Sequence, residues 1–204
     1  MAEQPYGGRC LNVLYDIGAN VGIYSVYAAA VRGARCFSFE PDSGNFALLC
    51  SNILLNNLSG RVIPYCMGAL DRSGITTLHA RKGAAGGSGH SVGYAVDSSL
   101  RPVKTGFEQG IYSIRIEDFA AREDGLPPTM IKIDVDGLEH LVVEGLGRLL
   151  NSPSLRGINI ELSDKLVQHD HVRERLSASG FSVDEDLSFL HPNGSSRNLI
   201  FTRD

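Results

Sequence analysis

Residues 16 to 22 read Asp-Ile-Gly-Ala-Asn-Val-Gly and follow the mostly apolar run Leu11-Asn12-Val13-Leu14-Tyr15. Two glycines in a strand-to-helix turn let the backbone come close to a ligand with no Cβ in the way, and the helix that begins there offers it unpaired N–H groups. Further on, the run Cys36-Phe37-Ser38-Phe39 ends in Glu40-Pro41. An acidic side chain at the tip of a second strand can accept hydrogen bonds from both hydroxyls of a ribose. Asp16 and Glu40 are therefore expected to face a nucleotide cofactor. A Gly-rich turn alone serves packing just as often. The expectation rests on strand, Gly-x-x-x-Gly turn, amphipathic helix (Val21 to about Arg32), second strand and terminal Glu occurring in the order of one βαβ unit.

Outward from that unit, strand-like and helical patterns alternate. Strands are expected at about 11–16, 34–39 and 61–66, with helices at 21–32 and 43–56, which implies a parallel sheet covered on both faces. Helix 43–56 carries Phe46, Leu49, Ile53 and Leu54 at helical spacing and should pack on the sheet. Met67-Gly68-Ala69 then falls at the carboxyl end of the third strand, the edge where open α/β sheets bind ligands. Between Arg81 and about Gly110 the chain becomes rich in Gly, Ser and Ala without a period, and reads as a weakly structured insertion or lid beside the site.

Order resumes at Tyr112–Ile116. A central strand, Met130-Ile131-Lys132-Ile133-Asp134-Val135, runs through Asp136-Gly137 into a helix from Leu138 to about Leu150, and the next strand, Gly157–Leu162, carries Glu161 near its end. After a helix at about 168–179, the runs 181–183 and 197–202 have no helix between them, so the last strand must return antiparallel. Alternation puts Lys132 on the same side of its strand as Asp134. A lysine in a buried strand needs a partner, and Asp16 and Glu161 are the candidates. The alternative is a base with depressed pKa. Asp134 is expected to position or deprotonate an acceptor, and both Asp134 and Asp136 are also placed to cap the following helix. His90 is the histidine best placed to reach an acceptor. His140, His169, His171 and His191 read as surface residues, and Tyr24 and Tyr27 as core packing or pocket walls.

The chain has 204 residues, a formal net charge of −4, 43% hydrophobic and 21% charged residues, which suits one soluble globular domain over 1–204. Its basic residues are scattered, which argues against a nucleic-acid backbone as partner and for a small or neutral substrate. No eighteen-residue apolar run offers a membrane span, and Met1–Gly8 carries no secretory pattern, so a cytoplasmic location is expected. Cys10, Cys36, Cys50 and Cys66 show no metal spacing and read as buried free thiols. Whether the protein is a monomer or a homodimer is left open.

Taken together, Asp16-Ile-Gly-Ala-Asn-Val-Gly22, Phe39-Glu40-Pro41, Gly68-Ala69-Leu70-Asp71, Ile131-Lys-Ile-Asp-Val-Asp-Gly-Leu-Glu139 and Ile160-Glu161 resemble the FkbM-type family of S-adenosylmethionine-dependent methyltransferases. One departure is Asp136, where the family usually has Glu. The resemblance implies an α/β, Rossmann-like class I fold, with a seven-stranded, mostly parallel sheet in the order 3-2-1-4-5-7-6 and the last strand antiparallel. It implies transfer of the methyl group of S-adenosyl-L-methionine to a hydroxyl of a small molecule, sugar or natural-product or glycolipid acceptor. On this chain Asp16, Gly18, Ala19, Asn20 and Gly22 would line the methionine and ribose portion, Glu40 with Pro41 the ribose, and Met67, Gly68 and Ala69 the adenine. Asp134 and Asp136 would sit by the methyl group, with Lys132 and Glu161 beside them. Some O-methyltransferases add a divalent cation on oxygen ligands, for which Asp134, Asp136 and Glu161 are the candidates. No metal is expected. Two other readings share the Gly-rich turn: an NAD(P)-dependent oxidoreductase, disfavoured by Asn20, by the missing third glycine and by the antiparallel ending, and a non-catalytic S-adenosylmethionine-binding module.

Overall fold

In the computed structural model, which describes residues 12–80, 86–122, 126–190 and 196–203, all five residues of the first strand, β1 (Val13–Ile17), are buried. A strand with parallel neighbours on both sides and cover on both faces has no solvent side, which is why this stretch is almost continuously apolar. The remaining elements are α1 (Ile23–Arg32), β2 (Arg35–Phe39), α2 (Ser43–Leu55), β3 (Val62–Tyr65), β4 (Gly68–Ala69), β5 (Gly74–Ala80), β6 (Ser91–Val92), β7 (Phe107–Ile114), α3 (Ile116–Arg122), β8 (Met130–Ile133), α4 (Glu139–Gly145), a 3₁₀ turn (Gly147–Asn151), β9 (Gly157–Leu162), α5 (Val167–Ala178), β10 (Ser182–Val183), β11 (Phe189–Leu190) and β12 (Arg197–Thr202). The main sheet runs β3-β2-β1-β8-β9-β12-β10, with β11 on β12, and β12 is antiparallel to both β9 and β10. This is the order 3-2-1-4-5-7-6 with the expected antiparallel closure.

Two apolar layers hold the sheet. On one face Tyr15, Phe37, Phe39 and Tyr65 meet Phe119 of α3, whose ring lies 4.9 to 5.7 Å from each of the four and steeply inclined to them. Such edge-to-face pairs set the positive rim of one ring against the negative face of another. On the other face Leu14 and Cys36 pack under Ala28 and Ala29 of α1 and Leu49 and Ile53 of α2. The small alanines let α1 sit close to β1, and so bring the glycine turn onto the sheet edge.

Several boundaries differ from expectation for local reasons. α1 begins at Ile23, because Gly22 is left-handed with φ 89° and cannot belong to a right-handed helix. The helix expected from Leu138 to Leu150 stops at Gly145 and tightens into the 3₁₀ turn: a Cβ on Gly145 would lie 2.1 Å from the Leu70 carbonyl oxygen, and Gly147 is left-handed with φ 48°. The stretch expected to be a weakly structured insertion supplies β6 and the first half of β7, and these join β4 and β5 in a second sheet of order β4-β7-β5-β6. Residues 81–85 of that stretch lie outside the described residues, as do Met1–Gly8, Cys10 and His191. Of the other cysteines, Cys36 is buried, Cys50 half-buried and Cys66 exposed, so the expectation of burial fails at Cys66. No helix among the described residues is long and apolar enough to cross a membrane.

Candidate active site

The carboxyl ends of β1, β2 and β8 open into a cavity of about 320 Å³, within the roughly 300–1,000 Å³ typical of ligand pockets. Its floor is the glycine turn. The amides of Gly18 and Ala19 both donate to the Phe39 carbonyl, at 3.0 and 2.9 Å, which folds the turn against β2. Gly18 has φ 73°, and a Cβ there would lie 1.9 Å from the Asp134 carbonyl oxygen, so the turn and the end of β8 approach each other to a distance that only glycine permits. Gly18, Ala19 and Asn20 line the cavity, but Gly22 does not. A Cβ on Gly22 would meet Leu49 Cδ1 at 2.4 Å, so that glycine serves the turn and the packing of α2.

Asp16 does not line the cavity, contrary to expectation. It is fully buried beneath the turn, accepting a 2.6 Å hydrogen bond from Ser25 Oγ. Its other oxygen stands 3.4 Å from Lys132 Nζ, which also lies 3.6 Å from Asp134 and donates to the Gly18 carbonyl at 2.6 Å. Burial lowers the Lys132 pKa, but the carboxylates of Asp16 and Asp134 outweigh it and the net shift is upward. Lys132 is thus a fixed cation, which removes it as a base and makes it a tie between the glycine turn and Asp134. The ammonium also sits 5.3 Å from the ring centre of Tyr24, which lines the cavity. Tyr24 and Tyr27 are 38% and 47% exposed, so neither is core.

At the other end, Glu40 is 4% exposed and accepts from the amides of Asn20 (2.8 Å) and Asp42 (2.9 Å), one on each oxygen. Burial pushes its pKa up to about 7 despite these donors. Pro41, Met67, Gly68 and Ala69 line the wall beside it. Asp42 caps α2 through the Asn45 amide at 2.8 Å, and Asn45 then reaches across the cavity. Its side chain accepts from the Gly86 amide (2.6 Å) and donates to the Gly87 carbonyl (3.1 Å), which Asn20 Nδ2 also reaches at 3.2 Å. Residues 86–90 thus form a strap along the cavity, and farther along it the Gly89 amide donates to Asp136 at 2.7 Å. Gly86–Ser88, His90 and Val92 line the cavity. The Nδ1 atom of His90 is buried without a hydrogen-bond partner. Asn45 was not among the expected site residues, although its place in the first turn of α2 marked it for the rim.

The β8 end carries Asp134 and Asp136, and both face the cavity. Neither caps α4, whose N-cap is Leu138 with no side-chain cap bond. The carboxylate of Asp134 is 41% exposed, and that of Asp136 is buried enough to have its pKa raised, chiefly by desolvation. The loop between them is held from behind by Glu139, whose Oε1 accepts from the amides of Val135 (3.2 Å) and Gly137 (3.1 Å). His169 pairs with Glu139 Oε2 at 3.1 Å and is 2% exposed, so its expected surface position is corrected, whereas His171 is exposed and His140 half-buried. Glu161 does not line the cavity, and it pairs with Ser196 across the β9–β12 edge. Among the described residues, no group of three or more His, Cys, Asp or Glu is placed to hold a metal ion.

A model of the methyltransferase FkbM domain matches residues 16–183. The chain belongs to this family. Membership of the FkbM family makes S-adenosylmethionine the cofactor, and the cavity offers a glycine turn, the buried carboxylate of Glu40 and a wall at Met67–Ala69. The chain is 27% identical over 141 residues to the hexuronic acid methyltransferase AglP of Haloferax volcanii, covering 69% of this chain and 52% of that protein. The chain thus spans about half the length of this relative. Among solved structures, the N-terminal domain of human METTL16 in complex with S-adenosylhomocysteine superposes with a TM-score of 0.53 at 15% identity, covering 94% of this chain and 61% of that one. TrmK of M. capricolum, also bound to S-adenosylhomocysteine, gives 0.54 at 8% identity over 95% and 62%. At such identities these structures share the class I fold with the FkbM chain and nothing narrower.

Proposed function

We propose that this FkbM-family protein transfers the methyl group of S-adenosylmethionine to a hydroxyl oxygen of a saccharide or similar hydroxylated small molecule. The observation that carries the reading is Asp134: a half-exposed carboxylate at the end of β8, facing the cavity, tied to a fixed cation and relieved of any capping duty. Bound S-adenosylmethionine supplies an electrophilic methyl group on a sulfonium. What remains for the chain is to hold the acceptor oxygen in line, within about 3 to 3.5 Å of that carbon, and to remove one proton. Asp134 would hold the hydroxyl and accept its proton as the methyl group passes to the oxygen, the carbon–sulfur bond breaking to leave S-adenosylhomocysteine as the product. Lys132 fixes the direction of that carboxylate, and Asp136 secures the strap beside it through the Gly89 amide. The relative named as a hexuronic acid methyltransferase supports a saccharide acceptor.

The test is incubation with S-adenosylmethionine labelled in its methyl group and a panel of neutral sugars and hexuronic acids. Label that enters a sugar and survives mild alkali marks an ether at a hydroxyl, as proposed. Label that alkali releases marks an ester on a carboxylate and would overturn the hydroxyl assignment. Micromolar binding of S-adenosylhomocysteine with no transfer to any acceptor would favour a binding module.

A further inference from the structure

The buried pair Glu139–His169 lies behind the cavity and lines none of it. Both side chains are 3% exposed. Glu139 is the first residue of α4, and its two oxygens do different things: Oε1 receives the Val135 and Gly137 amides, and Oε2 faces His169 Nε2 at 3.1 Å. The other ring nitrogen of His169 settles the tautomer. The Ser163 amide donates to Nδ1 at 2.8 Å, so Nδ1 is an acceptor and carries no proton. The proton therefore sits on Nε2 and is donated to Glu139. A continuous chain results: the Ser163 amide after β9 donates to the imidazole, the imidazole donates to the carboxylate, and the two amides of the loop after β8 donate to the same carboxylate from its other side.

That loop needs holding. Asp136 is left-handed with φ 57°, an uncommon conformation for a residue with a side chain, and Gly137 follows at φ 106°. In this conformation the Asp136 carboxylate meets the Gly89 amide of the strap. We infer that His169 is a positioning residue: by donating its Nε2 proton to Glu139 it keeps the Asp134–Gly137 loop in the geometry that presents Asp134 to an acceptor and lets Asp136 fasten the strap. The catalytic part of this inference rests on the methyl-transfer reading above, but the positioning itself does not. Without that proton Glu139 is a buried carboxylate missing one donor, and its hold on two loop amides weakens.

The test follows hydrogen exchange at the amides of Val135, Gly137 and Gly89, a readout independent of turnover, so failure here is distinguishable from failure of the methyltransferase reading. His169→Leu is expected to speed exchange at these three amides about tenfold or more, while amides of β2 and β3 keep their protection. His169→Gln retains an N–H donor toward Glu139 and is expected to restore most of the protection. Glu139→Gln retains the acceptor for the two amides but turns a donor toward His169, and should behave like the leucine variant. Unchanged exchange in His169→Leu, or a glutamine variant no better than leucine, overturns the inference. Should the leucine variant not fold, ¹⁵N spectra of the imidazole in the unaltered protein decide: a protonated Nε2 with a bare Nδ1 is expected, and the opposite tautomer overturns it.

Discussion

Burial raises the Glu40 carboxyl to about 7, because the cost of desolvating its charge exceeds the stabilisation from the amides of Asp42 and Asn20. Ribose hydroxyls are donors, and they bond best to the ionised form, so cofactor binding should strengthen as Glu40 loses its proton. Titration with S-adenosylhomocysteine is expected to show affinity rising about thirtyfold between about pH 5.5 and 8, and a flat profile would remove Glu40 from the site. Glu40→Ala is expected to weaken binding by about 1 to 3 kcal/mol, the range for loss of a charged hydrogen-bond partner. Asp134→Asn should abolish transfer with cofactor affinity close to normal, measured as the kcat of the variant beside its Kd. That Glu40, Gly18 and Asp134 stand at the cavity was legible in the sequence, because a strand end and a glycine turn fix where the backbone must go. Asp16 was misread for the complementary reason. Position at a strand tip says nothing about which way the carboxylate turns, and here Ser25 and Lys132 draw it under the turn. His169 was misread because the polar composition of α5 hides the inward face that Val172 and Leu176 mark three and seven residues later.

At the level of elements, strands and helices with a clear hydrophobic period fell within about two residues of expectation, apart from α4, which stops at Gly145, and the other exceptions are where short-range pattern carries no information. β6 has two residues and β7 starts among glycines and polar residues, so both depend on pairing with β5 rather than on their own composition. The strap at residues 86–89 is likewise held by side chains from elsewhere, chiefly Asn45 at the start of α2. Asn45→Ala removes two of these hydrogen bonds, one donated and one accepted, and is expected to raise the dissociation rate of S-adenosylhomocysteine about five- to hundredfold, the range for two net hydrogen-bond losses of about 0.5–1.5 kcal/mol each. Stopped-flow displacement measures it, and an unchanged rate would mean that the strap does not gate the ligand. α3 makes a different contribution, since Phe119 is the ring that joins the aromatic rings of β1, β2 and β3. Phe119→Ala should cost about 3–5 kcal/mol in denaturant unfolding, and a loss under 1 kcal/mol would show that the layer closes over the gap.

For the whole molecule, the same Glu40 carboxyl makes the stability of the ligand-free protein depend on pH in a direction opposite to the usual carboxylate. Its folded pKa, about 7, lies above the ordinary 4.5, so between these values the folded state holds the proton more tightly than the unfolded chain does. Stability from this group is therefore complete below about pH 4.5 and is lost as pH rises toward 7, by at most about 3 kcal/mol. Asp136, also raised by burial, acts in the same direction, while His140, whose pKa burial lowers, gains stability as pH rises from its lowered value toward the ordinary histidine value of 6.5 and no more above it. Because these slopes overlap, the measurement is a difference: melting temperature against pH for the unaltered protein and for Glu40→Gln. The glutamine variant carries a constant penalty, since one of its oxygens becomes a donor facing a backbone amide, but it cannot titrate. The gap between the two curves should thus change by about 6–12 °C from pH 4.5 to 7.5, at about 2–4 °C per kcal/mol for a chain of this size. Saturating S-adenosylhomocysteine should flatten the unaltered protein's curve, because the ligand stabilises the ionised carboxylate at the same pH values where burial penalises it. Parallel curves without ligand would show that Glu40 is ionised in the folded state throughout, and that the affinity profile with pH has another origin.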